Sequence, residues 1–295
     1  MKKYYIAALN SVDYIGLASI KKLINFFGTA QNVWNAKIEE IAQVGIPDIA
    51  LQSFQKFRSD NPDTPEKLAQ YCTEKNIGLC CIFDAGYPEI LKQIPNPPAV
   101  LYHYGNIQPS ALRIAVIGTR NNTDYGKRLA TEISSQLASY EVTVVSGAAR
   151  GIDTLAHTAA LQNGRTVAVV GYGIDFIFSA PNSNLLREIA QYGAVISAFN
   201  PFQAPSKITF PQRNRIIAGL SLGVVAVEAS EKSGTEITCR YAIDYGRKLF
   251  AVPGNIDSPQ SVGCNRLIQN GAILIRNATD IFKSFNPTLK NFCKT

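Results

Sequence analysis

The stretch KITFPQRNRIIAG, residues 207–219, holds Lys207, Arg213 and Arg215 within nine positions and contains no carboxylate. Phe210 and Pro211 lie among them. Cations neutralise phosphates and a flat ring stacks on a base, so the combination suits single-stranded nucleic acid. The pattern puts Lys207 and Phe210, three apart, in a loop, with Arg213, Asn214 and Arg215 opening a helix over 212–220. The free N–H groups of that helix start favour anions. The same residues also fit a packed interior, with Phe210 and Pro211 inside and an arginine paired to Glu228 or Glu231. Residue types alone leave both readings open.

Other strand-to-helix junctions carry similar chemistry. GTRNNTDYG follows one apolar strand and supplies Gly118, Thr119 and the donor fork of Arg120, with Asn121, Asn122 and Thr123 able to cap the next helix. SGAARGIDTLAH supplies Ser146, Gly147, Arg150 and Gly151, with Asp153 as a cap. EASEKSGTEITCR supplies Ser233, Gly234 and Thr235 at a helix start. Any one of these loops serves the turn alone. Four on one sheet edge favour a phosphate-bearing ligand.

Catalytic signatures are absent by comparison. No G-x-G-x-x-G follows the first of these strands, GYGIDF (171–176) lacks the third glycine, and there is no G-x-x-x-x-G-K-[ST]. His103 and His157 are the only histidines. His157 lies on an apolar helical stretch and reads as a packing residue. No nucleophile, base and orienting group share a spacing. The six cysteines show no C-x-x-C pair and no neighbouring histidine at metal spacing, so they read as reduced, mostly buried thiols and no metal site is expected.

These loops need a scaffold. Six apolar runs read as strands: RIAVIG (113–118), VTVVSG (142–147), TVAVVG (166–171), AVISAF (194–199), LGVVAVEA (222–229) and KLFAVPG (248–254). Such uninterrupted runs suit strands covered on both faces. Helical patterns at 124–140, 153–163, 182–192, 212–220, 234–246 and 263–270 alternate with them. The alternation predicts an α/β fold, an extended Rossmann-like, doubly wound, mostly parallel sheet over 66–285. Residues 1–65 read as a small helical domain of SAM or helix-hairpin type, with seven basic and six acidic residues. RSDNPDTPEK reads as the linker, and 286–295 as a short C-terminal tail.

The 295 residues are 46% apolar and 17% charged, a globular composition, with a net charge of +7 that is compatible with a polyanionic partner. No apolar run is long enough for a membrane span. The start, MKKYYIAALNSVDYIG, is interrupted by Asp13 and has no cleavage site, so a cytoplasmic location is expected.

Seven stretches together resemble the bacterial DNA-processing protein A (DprA, or Smf) family. They are YPEILKQIPNPPAVLYHYG (87–105), IAVIGTRNNTDYG (114–126), VVSGAARGIDTLAHTAAL (144–161), FPQRNRIIAGLS (210–221), SGTEITCRYAIDYGR (233–247), FAVPG (250–254) and GCNRLIQNGA (263–272). The resemblance implies a single-stranded DNA-binding protein that protects incoming DNA and passes it to the RecA recombinase in natural transformation. It implies no catalysis, no cofactor, and a homodimer joined through the C-terminal part of the Rossmann-like domain. By position, Arg120, Lys207, Phe210, Arg213, Asn214 and Arg215 would contact DNA, and Gly118, Thr119, Ser146 and Gly147 would shape a phosphate pocket.

The chain departs from the family pattern at Ala198, where a Glu is usual, and at 178–180, where FIFSAPN replaces a Tyr-Pro. About 23 residues follow Ala272, too few for the winged-helix module of some relatives. Two other readings stand beside this one. SGTEITCR is loosely similar to the loop of phosphoribohydrolase-like nucleotide enzymes, although EKS stands where they place Pro-Gly-Gly. A purely regulatory protein would have no DNA affinity.

Overall fold

A computed structural model describes residues 1–231 and 233–285. The tail expected at 286–295, with Cys293, lies outside the described residues. The chain divides into two compact units, residues 1–87 with 95–104, and residues 88–94 with the chain from Gly105 onward. The division thus falls later than the polar stretch near 65.

The first unit holds six helices and a strand pair. The helices are α1 (Lys2–Asn10), α2 (Leu17–Phe27), α3 (Ala30–Asn35), α4 (Ile38–Ala42), α5 (Asp48–Asp60) and α6 (Thr64–Glu74). β1 (Gly78–Cys81) pairs antiparallel with β2 (Val100–Gly105), Cys81 opposite Val100. The expected linker is no linker. α5 runs through its first three residues and α6 starts at Thr64, with Pro65 in the first turn, where a missing N–H costs nothing. Trp34 explains the order. Its ring meets Phe54 edge-on at 5.7 Å, and its indole N–H donates to the Pro62 carbonyl at 3.1 Å. Arg58 donates to the carbonyls of Trp34 and Ala36 at 2.7 and 2.6 Å. A polar, proline-containing stretch is therefore pinned by aromatic packing.

The second unit opens with α7 (Glu89–Lys92). Strands and helices then alternate: β3 (Arg113–Ile117), α8 (Asp124–Ser139), β4 (Thr143–Ser146), α9 (Ile152–Asn163) and β5 (Thr166–Val169). A 3₁₀ turn at Ile174–Ser179 leads to α10 (Ser183–Tyr192) and β6 (Ala194–Ser197). There follow α11 (Thr209–Gly219), β7 (Gly223–Ala226), α12 (Gly234–Asp244), β8 (Lys248–Ala251), α13 (Val262–Gln269), β9 (Ile273–Leu274) and α14 (Ala278–Ser284).

These strands lie in the order β6-β5-β4-β3-β7-β8-β9, and the pairs from β6 through to β9 are parallel. The chain winds outward from β3 in one direction and from β7 in the other. Right-handed crossovers then place the helices on opposite faces. The switch point, where a crevice opens at the carboxyl ends, lies between β3 and β7. One interior cluster joins Ile114, Val116, Leu129, Ile133, Val144, Val225 and Phe250. Ile275, Ile281 and Phe282 belong to it as well, so most of the C-terminal apolar surface folds back on the core. Ile273 and Leu274 on β9 stay 37% and 46% exposed.

Candidate nucleic-acid interface

Two adjoining pockets open at the carboxyl edge of the second unit's strands. The first, about 370 Å³, sits at the switch point between the loops after β3 and β7. Gly118, Thr119 and Arg120 form one wall, Ser233, Gly234 and Thr235 another, and Phe210, Arg213 and Asn214 a third. The second, about 760 Å³, lies over β4 and β5, with Gly147, Arg150, Tyr172, Phe176 and Asn182 in its walls. Arg120, Ala149, Phe210 and Arg213 line both.

Local chemistry fixes each loop. The Thr119 N–H donates to the Glu228 carbonyl at 2.8 Å, joining the ends of β3 and β7. Thr123 caps α8, accepting from the Gly126 N–H at 3.2 Å, while its own N–H donates to the Glu228 carboxylate at 2.9 Å. Glu228 is thus committed to a cap and not to an arginine. Gly118 is packed closely: a Cβ there would lie 2.6 Å from Ile152 Cγ1. In the next loop Asp153 Oδ2 accepts from the Gly147 and Ala149 N–H groups at 3.1 and 3.4 Å. Arg150 reaches across to Asn121 Oδ1 at 2.7 Å and ties the two loops together.

Arg213 is buried, 5% exposed. Its Nη1 donates to the carbonyls of Gly147 and Val169, both at 2.5 Å, and its Nε donates to Asn214 Oδ1 at 3.1 Å. Burial lowers its guanidinium pKa, an effect opposed by the charge of Asp153. Burial in turn raises the Asp153 carboxyl, opposed by Arg213 and by the amides that it accepts from. Two oppositely charged groups thus brace the floor where three loops meet.

Helix α11 begins earlier than its sequence pattern suggests. Phe210 and Pro211 occupy its first turn instead of the loop before it. Ser206 accounts for this. Its hydroxyl accepts from the Thr209 N–H at 3.1 Å, and the Thr209 hydroxyl accepts from the Ser206 N–H at 3.0 Å, a reciprocal pair that fixes the helix entry. Phe210 is half-buried with its ring over Gly171, where a Cβ would lie 2.8 Å from Cδ1. Neither the fully packed nor the fully exposed ring is realised.

The expected site residues thus separate by position. Gly118, Thr119, Arg120, Phe210, Arg213 and Asn214 line the first pocket, and Gly147 lines the second. Lys207 is exposed on the loop before α11, outside both walls. Ser146 is fully buried, its hydroxyl donating to the Val116 carbonyl at 2.7 Å. Arg215 lies two residues beyond Arg213, roughly 200° round the helix. It lines neither pocket and acts on the Tyr245 phenol, whose pKa it lowers against a larger rise from burial. Tyr172, Phe176 and Asn182 were not legible as site residues. GYGIDF offers an incomplete glycine pattern, and its aromatic rings are the usable signal. Ala198 lies just past β6 and lines neither pocket, whereas Ser179 and Ala180 do line the second.

His157 is fully buried with Nδ1 2.6 Å from the Thr166 hydroxyl, and burial pushes its pKa down to about 3. Glu236, the carboxylate nearest the SGT turn, faces Arg266 at 3.3 Å and lines neither pocket. Five cysteines (72, 80, 81, 239 and 264) are buried free thiols. Among the described residues no helix is long and apolar enough to cross a membrane.

The family described as DNA recombination-mediator protein A matches residues 78–286, which include every wall of both pockets. The chain belongs to that family. It is 36% identical to Protein Smf of Synechocystis over 287 residues, 95% of this chain and 72% of that protein. It is 40% identical to DNA processing protein DprA of Bacillus subtilis over 225 residues, 75% of each chain. The crystal structure of DNA processing protein A from Streptococcus pneumoniae superposes with a TM-score of 0.82 at 33% identity, covering 97% of this chain and 99% of that one. The Helicobacter pylori protein, whose structure concerns its single-stranded DNA binding mode, gives 0.65 at 30% identity over 73% and 96%. Family membership therefore extends the resemblance seen in the seven stretches to the fold itself.

Proposed function

We propose that this chain binds single-stranded DNA along the carboxyl edge of its parallel sheet and acts there as a binding protein and not as an enzyme. The observation that carries the reading is the position of Phe210. Its half-buried ring stands between the two pockets, with Arg120 lining both. A strand laid across this edge stacks a base on Phe210 while Arg120, Arg150 and Lys207 meet its phosphates. The Thr119 hydroxyl and the start of α12, with Asn214, complete the anion pocket. Arg213 and Ser146 hold the loops in place, since their donors are spent on buried carbonyls. Arg215 adds positive field at the flank. The single-stranded DNA binding of the Helicobacter pylori relative supports the assignment.

On this reading the protein protects incoming DNA in the cytoplasm during transformation and loads the RecA recombinase, as a homodimer paired through the C-terminal edge of the sheet. The engagement of Glu236 with Arg266 weighs against a nucleotide-hydrolysing alternative. A mobility-shift titration with single- and double-stranded oligonucleotides tests the core claim. Tighter binding of single strands, weakened by Phe210→Ala, is expected; equal affinity for duplex overturns it. A recombinase filament assay on DNA coated with a single-strand binding protein tests the loading step.

A further inference from the structure

The second pocket is lined by Phe210 and also by Ser179, Ala180 and Asn182. The 3₁₀ turn Ile174–Ser179, which contributes to its wall, carries two phenylalanines. Phe176 lines the pocket, whereas Phe178 is 43% exposed just outside it. The Arg187 guanidinium, from α10, lies 4.6 Å from the centroid of the Phe178 ring. An aromatic ring and a cation thus stand together beside the 3₁₀ turn that lines this pocket.

We infer that Phe178 and Arg187 form a second stacking platform, so that a bound strand continues from Phe210 over the second pocket to α10. The inference rests on the single-stranded DNA reading above. A guanidinium laid on a ring keeps its plane fixed, presents its outer face to a base and keeps N–H donors at its rim for phosphate. Base–aromatic stacking accepts any base, so the platform lengthens the footprint without adding sequence preference. Arg150, in the wall of the same pocket, supplies a further cation.

The test compares labelled oligothymidylates of about four and about sixteen nucleotides, the span of site sizes in single-strand grooves, by fluorescence anisotropy. Phe178→Ala and Arg187→Gln should leave the short oligonucleotide unaffected and weaken the long one about 5- to 140-fold, the effect of one lost stack. Phe178→Trp should preserve both affinities. An iodouracil-substituted long oligonucleotide should photocrosslink to the peptide that carries Phe178. If Phe210→Ala weakens both lengths while the Phe178 and Arg187 variants bind as the unmodified protein does, the platform is absent and the main groove stands. If these variants weaken both lengths equally, the pair acts through the fold and the inference fails. If the unmodified protein binds neither length, the parent reading falls and takes the inference with it.

Discussion

The Arg213 guanidinium donates to the carbonyl of Gly147 at 2.5 Å, and a Cβ at residue 147 would overlap that same guanidinium. The glycine is therefore the condition for a buried arginine at this floor. Gly147→Ala must displace Arg213, leaving the Gly147 and Val169 carbonyls short of a donor and Asp153 without its nearest cation. The expected loss is about 1–3 kcal/mol of stability, the penalty for unsatisfied buried groups. Urea denaturation measures it. An unchanged midpoint would mean that Arg213 does not brace the loops.

Exposed cations should set the salt response. With Arg120, Arg150 and Lys207 on about three phosphates, log affinity for single strands should fall against log salt with a slope near −2, from roughly −0.7 each. Lys207→Ala and Arg120→Ala should each flatten the slope by about 0.7. Titrations at several salt concentrations check this, and a flat response in the unmodified protein would remove the phosphate contacts from the proposal.

Phe210→Ala should weaken binding by about 1–3 kcal/mol with little change in salt slope, because a lost stack releases no counterion. The ring is only half-buried, so the variant should remain folded. Normal affinity in a folded Phe210→Ala protein would show that the ring only packs.

His157 predicts a particular acid sensitivity. Its folded-state pKa of about 3 lies below the unfolded value near 6.5, so the unfolded chain takes up a proton first as the pH falls. The stability linked to the neutral ring is fully present above about pH 6.5 and is lost as the pH drops towards 3, at up to ~1.4 kcal/mol per pH unit. His157→Gln should remove this slope. Unfolding curves at pH 7, 6 and 5 for both proteins decide it; parallel losses would show that the acid sensitivity resides elsewhere.

The edge strand β9 carries the prediction about assembly. A terminal strand with exposed Ile273 and Leu274 offers backbone and apolar surface to a second copy, and a two-fold contact would bring the patch against itself. Leu274→Lys should yield monomers that keep short-oligonucleotide affinity and lose avidity on long strands. Sedimentation of the unmodified protein across micromolar concentrations is the check. A monomer throughout, with or without DNA, would rule the dimer out.

Much of the second unit was readable because both-faces-covered strands are written as short apolar runs. RIAVIG became Arg113–Ile117 and AVISAF became Ala194–Ser197, each shortened where the chain leaves the ladder. The first unit was less readable. Lys2–Asn10 is a helix that its short polar-flanked run did not announce, and YPEILKQIPNPPAVLYHYG hides β2 among prolines, as it does α7 of the second unit. The apparent linker near 62 is held because Trp34 donates to Pro62 and Arg58, at the linker's own start, donates to Trp34 and Ala36, contacts that span 22 to 28 residues of chain.

By itself the sequence determined the strand–helix alternation, the glycine and hydroxyl loops at one sheet edge and the family, since these follow from local periodicity and from residues contiguous in the chain. Only the tertiary structure decided which cations face a ligand. Arg213 and Arg215 are two positions apart, yet one is buried against Gly147 and Val169 while the other stands near Tyr245. Helical rotation turns neighbouring side chains apart, and the partners that claim them come from β4, β5 and α12. Strand order places the ends of β3 and β7 side by side although more than a hundred residues separate them. That crevice exists only once the sheet has formed.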